Sequence, residues 1–140
     1  MSDCRDEIAS KLQNAFQQKQ ALQIKAGSTK QFYGRNIQAE ALSLTDHTGI
    51  IEYEPSELYI TARSGTQLRE IEQTIAEQQQ ILPCEPPYFG ATATLGGTVA
   101  CGLAGPRRAS AGNVRDCILG TEILNGKGEQ LHFGGKVMKN

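Results

Sequence analysis

A chain of 140 residues with 39% apolar and 21% charged side chains has the composition of a soluble globular domain, long enough to bury a core. No run approaches the roughly 18 apolar residues of a membrane span, and the start MSDCRDEIASKLQ lacks the basic-then-apolar order of a signal peptide. A net charge of −1 argues against a general nucleic-acid binder.

The first predicted element is an amphipathic helix in which Ile8, Leu12 and Phe16 recur every four residues, with Asp3 placed as its N-cap. ALQIKA, residues 21–26, stops at Gly27 in the manner of a strand entering a turn. AGSTKQFYGR, residues 26–35, has no regular period. ALSLT (41–45) and GIIEYE (49–54) read as strands separated by a turn at His47 to Gly49. After the turn at Pro55 and Ser56, ELYITAR (57–63) places Leu58, Ile60 and Ala62 on one face. Thr66 is placed to cap a second helix, with Leu68, Ile71 and Ile75 as its buried stripe and Gln78 to Gln80 as a solvated end.

Beyond that helix, Pro83, Pro86 and Pro87 force extended or turning backbone. Gly96, Gly97, Ala100, Gly102, Ala104 and Gly105 then make a stretch too small to fill a core, so something else must pack against its backbone. CILGTEILN and EQLHFGG flank Gly126-Lys127-Gly128, the pattern of a hairpin. With no repeat and no linker, residues 1–140 read as one domain of α+β class, with helices separating short strands and a hairpin near the end. Lys136 to Asn140 end without a cap or a closing strand, as in a truncated chain.

Chemistry is concentrated in the second half. Of 15 glycines, 11 lie between Gly90 and Gly135, and residues 90–140 carry three acids against six bases, whereas residues 1–89 carry 12 acids against eight bases. A glycine-dense, mildly basic segment suits close backbone approach to an anion, and it equally describes a loop-rich half with scattered surface charge. Cys4, Cys84, Cys101 and Cys117 contain no CxxC pair and read as buried or surface thiols. His47 and His132 stand alone, so no metal site is expected.

Two glycine segments remain. In Ala26-Gly27-Ser28-Thr29-Lys30 the small residues let successive amides converge on an anion, with Lys30 adding charge, or they simply close a strand. The segment is neither a Walker A loop nor a GxGxxG fingerprint. In Ala93-Thr94-Leu95-Gly96-Gly97-Thr98-Val99-Ala100 the double glycine permits contact with a flat ligand or tight packing of backbone on backbone. No Ser-His-Asp set, Cys-His pair or paired-carboxylate motif is evident, so no hydrolytic centre is expected.

Four stretches together carry a resemblance: AGSTKQFYGR, YEPSELYITARSGT, LPCEPPYFGATATLGGTVACGLAGPRR and VRDCILGTEILNGKGEQLHFGGKVMKN. The chain resembles the FAD-binding domain of the vanillyl-alcohol oxidase and p-cresol methylhydroxylase (PCMH-type) superfamily. Within it, the chain is similar to the FAD-binding E subunits of bacterial glycolate oxidases. The resemblance implies that Ala26, Gly27, Ser28, Thr29 and Lys30 hold the FAD pyrophosphate. It implies that Pro86 and a turn at Thr94, Leu95, Gly96 and Gly97 lie along the flavin and its phosphates. Ala100, Cys101 and Gly102 then match a small-residue helix start, and Val114 to Asp116 and Ile123 the residues that complete the pocket. Some relatives attach FAD through a histidine in the first loop; this loop has none, which implies non-covalent FAD.

The same resemblance implies a subunit that helps oxidise glycolate, a small 2-hydroxy acid, to glyoxylate. Its implied partners are a second FAD subunit and an iron–sulfur subunit, in the cytoplasm or peripheral at the inner membrane through those partners. Family members continue into a substrate-binding domain, so this chain is expected to be the N-terminal part of the FAD-binding domain without it. Alternatives are a flavin enzyme of another 2-hydroxy acid, of the D-lactate type, and a non-catalytic assembly fragment.

Overall fold

The computed structural model describes residues 2–136. Helices and strands are mixed along the chain, as the α+β class expects: α1 (Arg5–Gln17), β1 (Leu22–Lys25), β2 (Glu40–Ser43), β3 (Ile50–Glu54), β4 (Tyr59–Ala62), α2 (Leu68–Ala76), α3 (Leu95–Cys101), α4 (Arg108–Ala111), β5 (Gly120–Leu124) and β6 (Gln130–Gly134). Single 3₁₀ turns stand at Gln31–Tyr33 and Val114–Cys117. The strands form three two-stranded sheets. β1 and β2 run parallel with Leu22 opposite Glu40, while β3 with β4 and β5 with β6 are antiparallel hairpins. The last hairpin turns where its glycines predict. Gly128 at φ +74° takes the left-handed position, and Asn125 Oδ1 accepts from the amides of Lys127 and Glu129.

The core is small and centred on α2. Leu68, Ile71 and Ile75 are buried as their spacing predicts, together with Leu42, Ala93, Val114 and the hydroxyl residues Thr66, Thr94 and Thr98. Thr66 does not cap α2. Gln67 occupies the N-cap position without a side-chain bond, and the fully buried Thr66 hydroxyl instead accepts from the Gly49 amide (2.9 Å) and donates to its carbonyl (3.3 Å). That places the hydroxyl between α2 and the turn entering β3.

Other expectations are corrected for similar reasons. Phe16 is 55% exposed, because α1 buries the face carrying Ile8 and Ala15. Cys4 is the N-cap of α1, and Asp3 Oδ1 accepts from the Arg5 amide at 3.1 Å. Leu58 is 70% exposed in the β3–β4 turn at φ +57°, before the strand begins. Gln80 is not a solvated end: its amide donates to the Pro55 carbonyl (2.9 Å) and its carbonyl accepts from the Tyr53 hydroxyl (2.8 Å).

The N-terminal segment is held by charge. Asp3 accepts from Arg63 at 3.1 Å, and this bond, with the Arg5 amide, holds its carboxyl below the usual range. His47 Nδ1 accepts from the Cys4 amide at 3.2 Å, and burial pushes its imidazole below the ordinary value of 6.5. A lowered folded value makes this contribution complete above pH 6.5 and lost as the pH falls through the folded value. Urea midpoints of the parent therefore fall as pH drops from 7 toward 5. His47→Gln, which accepts without titrating, has a flatter profile over that window.

Thr66 supplies a second test. Thr66→Val keeps the volume but orphans the buried Gly49 amide and leaves its carbonyl with the Arg63 amide alone, so it lowers unfolding free energy by about 2 kcal/mol, read from urea denaturation. A change below about 0.5 kcal/mol excludes the structural role assigned to that hydroxyl.

Candidate functional site

The two glycine segments meet. Thr92 Oγ1 donates to the Gly27 carbonyl at 2.7 Å, and a Cβ on Gly27 would lie 1.6 Å from the Thr92 carbonyl oxygen. Gly90, at φ +156°, faces Thr29 so closely that its own Cβ would sit 2.8 Å from the Thr29 methyl. The loop after β1 is thus seated on the loop before α3. Gly27 is glycine because protein backbone occupies the space a side chain needs.

Within the first loop, Ser28 adopts a left-handed conformation at φ +57°. Among the described residues, the amides of Gly27, Ser28, Thr29 and Lys30 donate to no protein acceptor. Successive amides bent around a left-handed residue form a concavity that takes an anion. Lys30 adds charge beside it. Its ammonium lies 3.5 Å from the Tyr88 carbonyl and 6.0 Å from the centre of the Phe89 ring.

The second segment works differently. Residues 94–97 are not a free turn: Thr94 is the N-cap of α3, its hydroxyl accepting from the Gly97 amide at 3.2 Å. The amides of Leu95 and Gly96 donate to the carbonyls of Thr66 (2.9 Å) and Ser64 (2.8 Å). The first amides of this helix are therefore spent on protein. Gly96 packs against Ser64, where a Cβ would come within 2.7 Å of the Ser64 Cβ; at Gly97 a Cβ would meet only the Thr94 hydroxyl, at 3.1 Å. Of the two glycines, Gly97 is the one whose open side lets a flat ligand approach.

Ala100, Cys101 and Gly102 do not begin a helix. They end α3, with Gly102 at φ +60° as the left-handed terminus whose amide donates to Thr98. Pro86 is buried between Glu85, at φ +41°, and the exposed Phe89. Val114 is buried, while the Asp116 carboxylate accepts from the Asn113 amide at 2.8 Å and so caps its own 3₁₀ turn. Ile123 is 42% exposed on β5, opposite Leu131, in the hairpin whose Gly128 packs against Ala9 of α1. The contacts bring together Gly27 and Lys30 of the first loop with Tyr88 and Thr92 of the loop before α3; they do not tie Asp116 or Ile123 to them.

Three contributors were not predicted. Ser64 and Gly65 form the platform under α3, Gly65 lying so close to the Leu44 and His47 carbonyls that no Cβ fits. Thr92 holds the first loop. The signal for the platform was the ARSGT stretch, a small polar turn directly after a strand. Cys84 is a buried thiol as expected, its value raised to about 11 by burial and the neighbouring Cys117.

Residues 3–134 match the family described as FAD binding domain, and the chain belongs to that family. It is 48% identical over 138 residues to the glycolate oxidase subunit GlcE of Escherichia coli (strain K12), covering 99% of this chain and 39% of that protein. The chain thus spans about two-fifths of the length of the curated relative it matches. Among solved structures, it is similar to Phl p 4, a grass pollen allergen with glucose dehydrogenase activity (14% identity, TM-score 0.75, 92% of this chain and 27% of the other). It is also similar to alkyldihydroxyacetonephosphate synthase (16% identity, TM-score 0.71, 91% and 24%). At these identities the likeness is one of fold, the PCMH-type FAD-binding architecture expected from the sequence.

The amide concavity, the open side of Gly97 and the neighbouring Lys30 suit a cofactor that carries a pyrophosphate and a flat ring system. The two key glycines separate by experiment. Gly27→Val drives side-chain atoms into the Thr92 backbone and costs the apoprotein about 3 kcal/mol or more in urea denaturation. In the full-length protein, Gly97→Leu leaves the apoprotein's far-UV circular dichroism near the parent's while FAD retention is lost. Retained flavin in Gly97→Leu, or a stable Gly27→Val, contradicts this division of roles.

Proposed function

We propose that this chain is the N-terminal part of the FAD-binding domain in a glycolate oxidase subunit that helps convert glycolate to glyoxylate. The observation that carries the substrate assignment is 48% identity across essentially the whole chain to GlcE. In this reading Ala26 to Lys30 hold the pyrophosphate through the four free amides and the Lys30 charge. Pro86, Thr94, Leu95, Gly96 and Gly97 border the flavin, with Ala100, Cys101 and Gly102 at the end of α3 beside it. Asp116 and Ile123 complete the pocket in the longer protein. Bound FAD would supply the acceptor for the hydride, and with it the two electrons, that leaves the 2-hydroxy acid.

In this reading the residues of this chain hold, orient and shield the cofactor. Substrate contact belongs to the remaining length of the protein, and electron transfer to a second FAD subunit and an iron–sulfur subunit. Among the described residues no helix is long and apolar enough to cross a membrane. By likeness to the bacterial glycolate oxidases, the complex is assigned to the cytoplasm or to the periphery of the inner membrane through its partner subunits.

The full-length protein, assembled with its partner subunits, is expected to show flavin absorbance and to oxidise glycolate in preference to D-lactate and other 2-hydroxy acids. A preference for D-lactate moves the assignment to that substrate, and flavin-free protein that still supports assembly identifies a non-catalytic subunit. Residues 26–34 contain no histidine, so acid or heat denaturation releases the FAD intact into the supernatant; flavin that stays with the precipitate contradicts non-covalent binding.

A further inference from the structure

The loop from Cys84 to Thr92 is built from conformations that side chains resist. Glu85 has φ +41°, Phe89 φ +54° and Gly90 φ +156° within six residues. Left-handed backbone costs a non-glycine residue roughly 1–2 kcal/mol, so such a loop persists only where its surroundings over-determine it. At its first end the constraint is plain. Glu85 pairs with Arg107 at 2.8 Å, and the Gly105 amide donates to the Cys84 carbonyl at 3.2 Å. At its last end Thr92 bonds Gly27. Between these ends one residue, Tyr88, reaches out in two directions. Its hydroxyl donates to Glu72 Oε2 on α2 at 2.5 Å, and its carbonyl accepts from Lys30 of the first loop.

We propose that Tyr88 and Glu72 are a positioning pair that holds the 84–92 loop, and through it Lys30 and the amide concavity, in the geometry that takes FAD. This rests on the FAD reading above. Glu72 stands on α2 beside the buried Ile71, on the helix whose Leu68, Ile71 and Ile75 form the core, so the tether fixes the strained middle of the loop to the core. A hydroxyl donating to a carboxylate makes a charge-assisted bond, the strong class of hydrogen bond. Burial and the Glu72 carboxylate raise the Tyr88 hydroxyl well above the ordinary phenol value, so it remains a donor throughout the working range of pH. Without the tether, Phe89 and Gly90 relax toward ordinary backbone. The loop then spends only a fraction of its time in the binding geometry, and apparent affinity falls by that fraction.

Tyr88→Phe, Glu72→Leu and Glu72→Gln test this in the full-length protein, with Tyr53→Phe as the control that loses a tyrosine hydrogen bond, to Gln80, outside the site. FAD affinity is read by flavin fluorescence titration of the apoprotein, beside its thermal midpoint. Tyr88→Phe and Glu72→Leu weaken FAD binding about tenfold. Glu72→Gln, whose amide carbonyl still accepts from the hydroxyl, stays within about twofold, and Tyr53→Phe binds as the parent does. An unchanged affinity in Tyr88→Phe overturns the proposal, as does a Glu72→Gln as weak as Glu72→Leu. Equal weakening in Tyr53→Phe also overturns it, by tracing the effect to general stability. Should Tyr88→Phe not fold, the comparison of the two Glu72 variants decides. A parent that takes up no FAD defeats the cofactor reading itself, whereas a parent that binds with an unaffected Tyr88→Phe defeats only the tether.

Discussion

Three backbone hydrogen bonds between residues 64–68 and 93–96 organise the molecule: Leu68 amide to Ala93 carbonyl, Leu95 amide to Thr66 carbonyl, and Gly96 amide to Ser64 carbonyl. They join the turn before α2 to the start of α3 as a short antiparallel ribbon. The largest fully buried side chains among the described residues, Thr66, Leu68 and Ile71, lie on or beside it. One strand of the ribbon reaches back to β3 through Thr66 and Gly49, and the other leads from the loop that seats Gly27. The apolar core and the candidate site are therefore two faces of one structure, so a change that shifts the ribbon is felt in both. The covering is incomplete elsewhere, with Phe16, Ile24, Phe32 and Phe133 each more than half exposed on a chain that spans about two-fifths of its curated relative.

The glycines explain why so small a core suffices to place two loops. At Gly27, Gly65, Gly96 and Gly105 a Cβ would come within 3 Å of another segment, at Gly27 and Gly65 within 2.1 Å of a carbonyl oxygen. These are contacts of chain on chain, where the absence of a side chain replaces the interdigitation that a larger core would use. Gly97 is unlike them, with only its own capping hydroxyl nearby. The small-residue stretch thus combines backbone packing and ligand approach, assigned residue by residue.

The elements that repeat a period were legible. The spacing of Leu68, Ile71 and Ile75 located α2, the apolar run at 21–26 located β1, and Gly126-Lys127-Gly128 located the last hairpin. What failed was the partner of a side chain. Thr66 has the residue type of a cap, but a buried carbonyl and amide of Gly49 outcompete the helix for its hydroxyl. Phe16 continues a four-residue repeat onto a face that nothing in the described residues covers. α3 escaped because Leu-Gly-Gly-Thr-Val-Ala-Cys has poor helix propensity, and its helix follows from the Thr94 cap and the ribbon. For the site, the motif stretches gave the two loops, while the tether through Tyr88 and Glu72 joins residues 16 apart that carry no local signal.

The two glycine segments that look alike in sequence supply different forces. The first presents four amides without protein acceptors and a lysine held at its rim, the requirements for stabilising negative charge. The second has its first amides bound to Thr66, Ser64 and Thr94, and a helix of seven residues with its donors already used contributes little field. Its contribution is shape: a surface low enough, at Gly97, for a ring to lie against backbone. Charge from one loop and flatness from the other match a ligand that is anionic at one part and planar at another. Because Thr92 and Tyr88 join the loops directly, that ligand meets them at a fixed separation, and the binding energy need not be spent on ordering them.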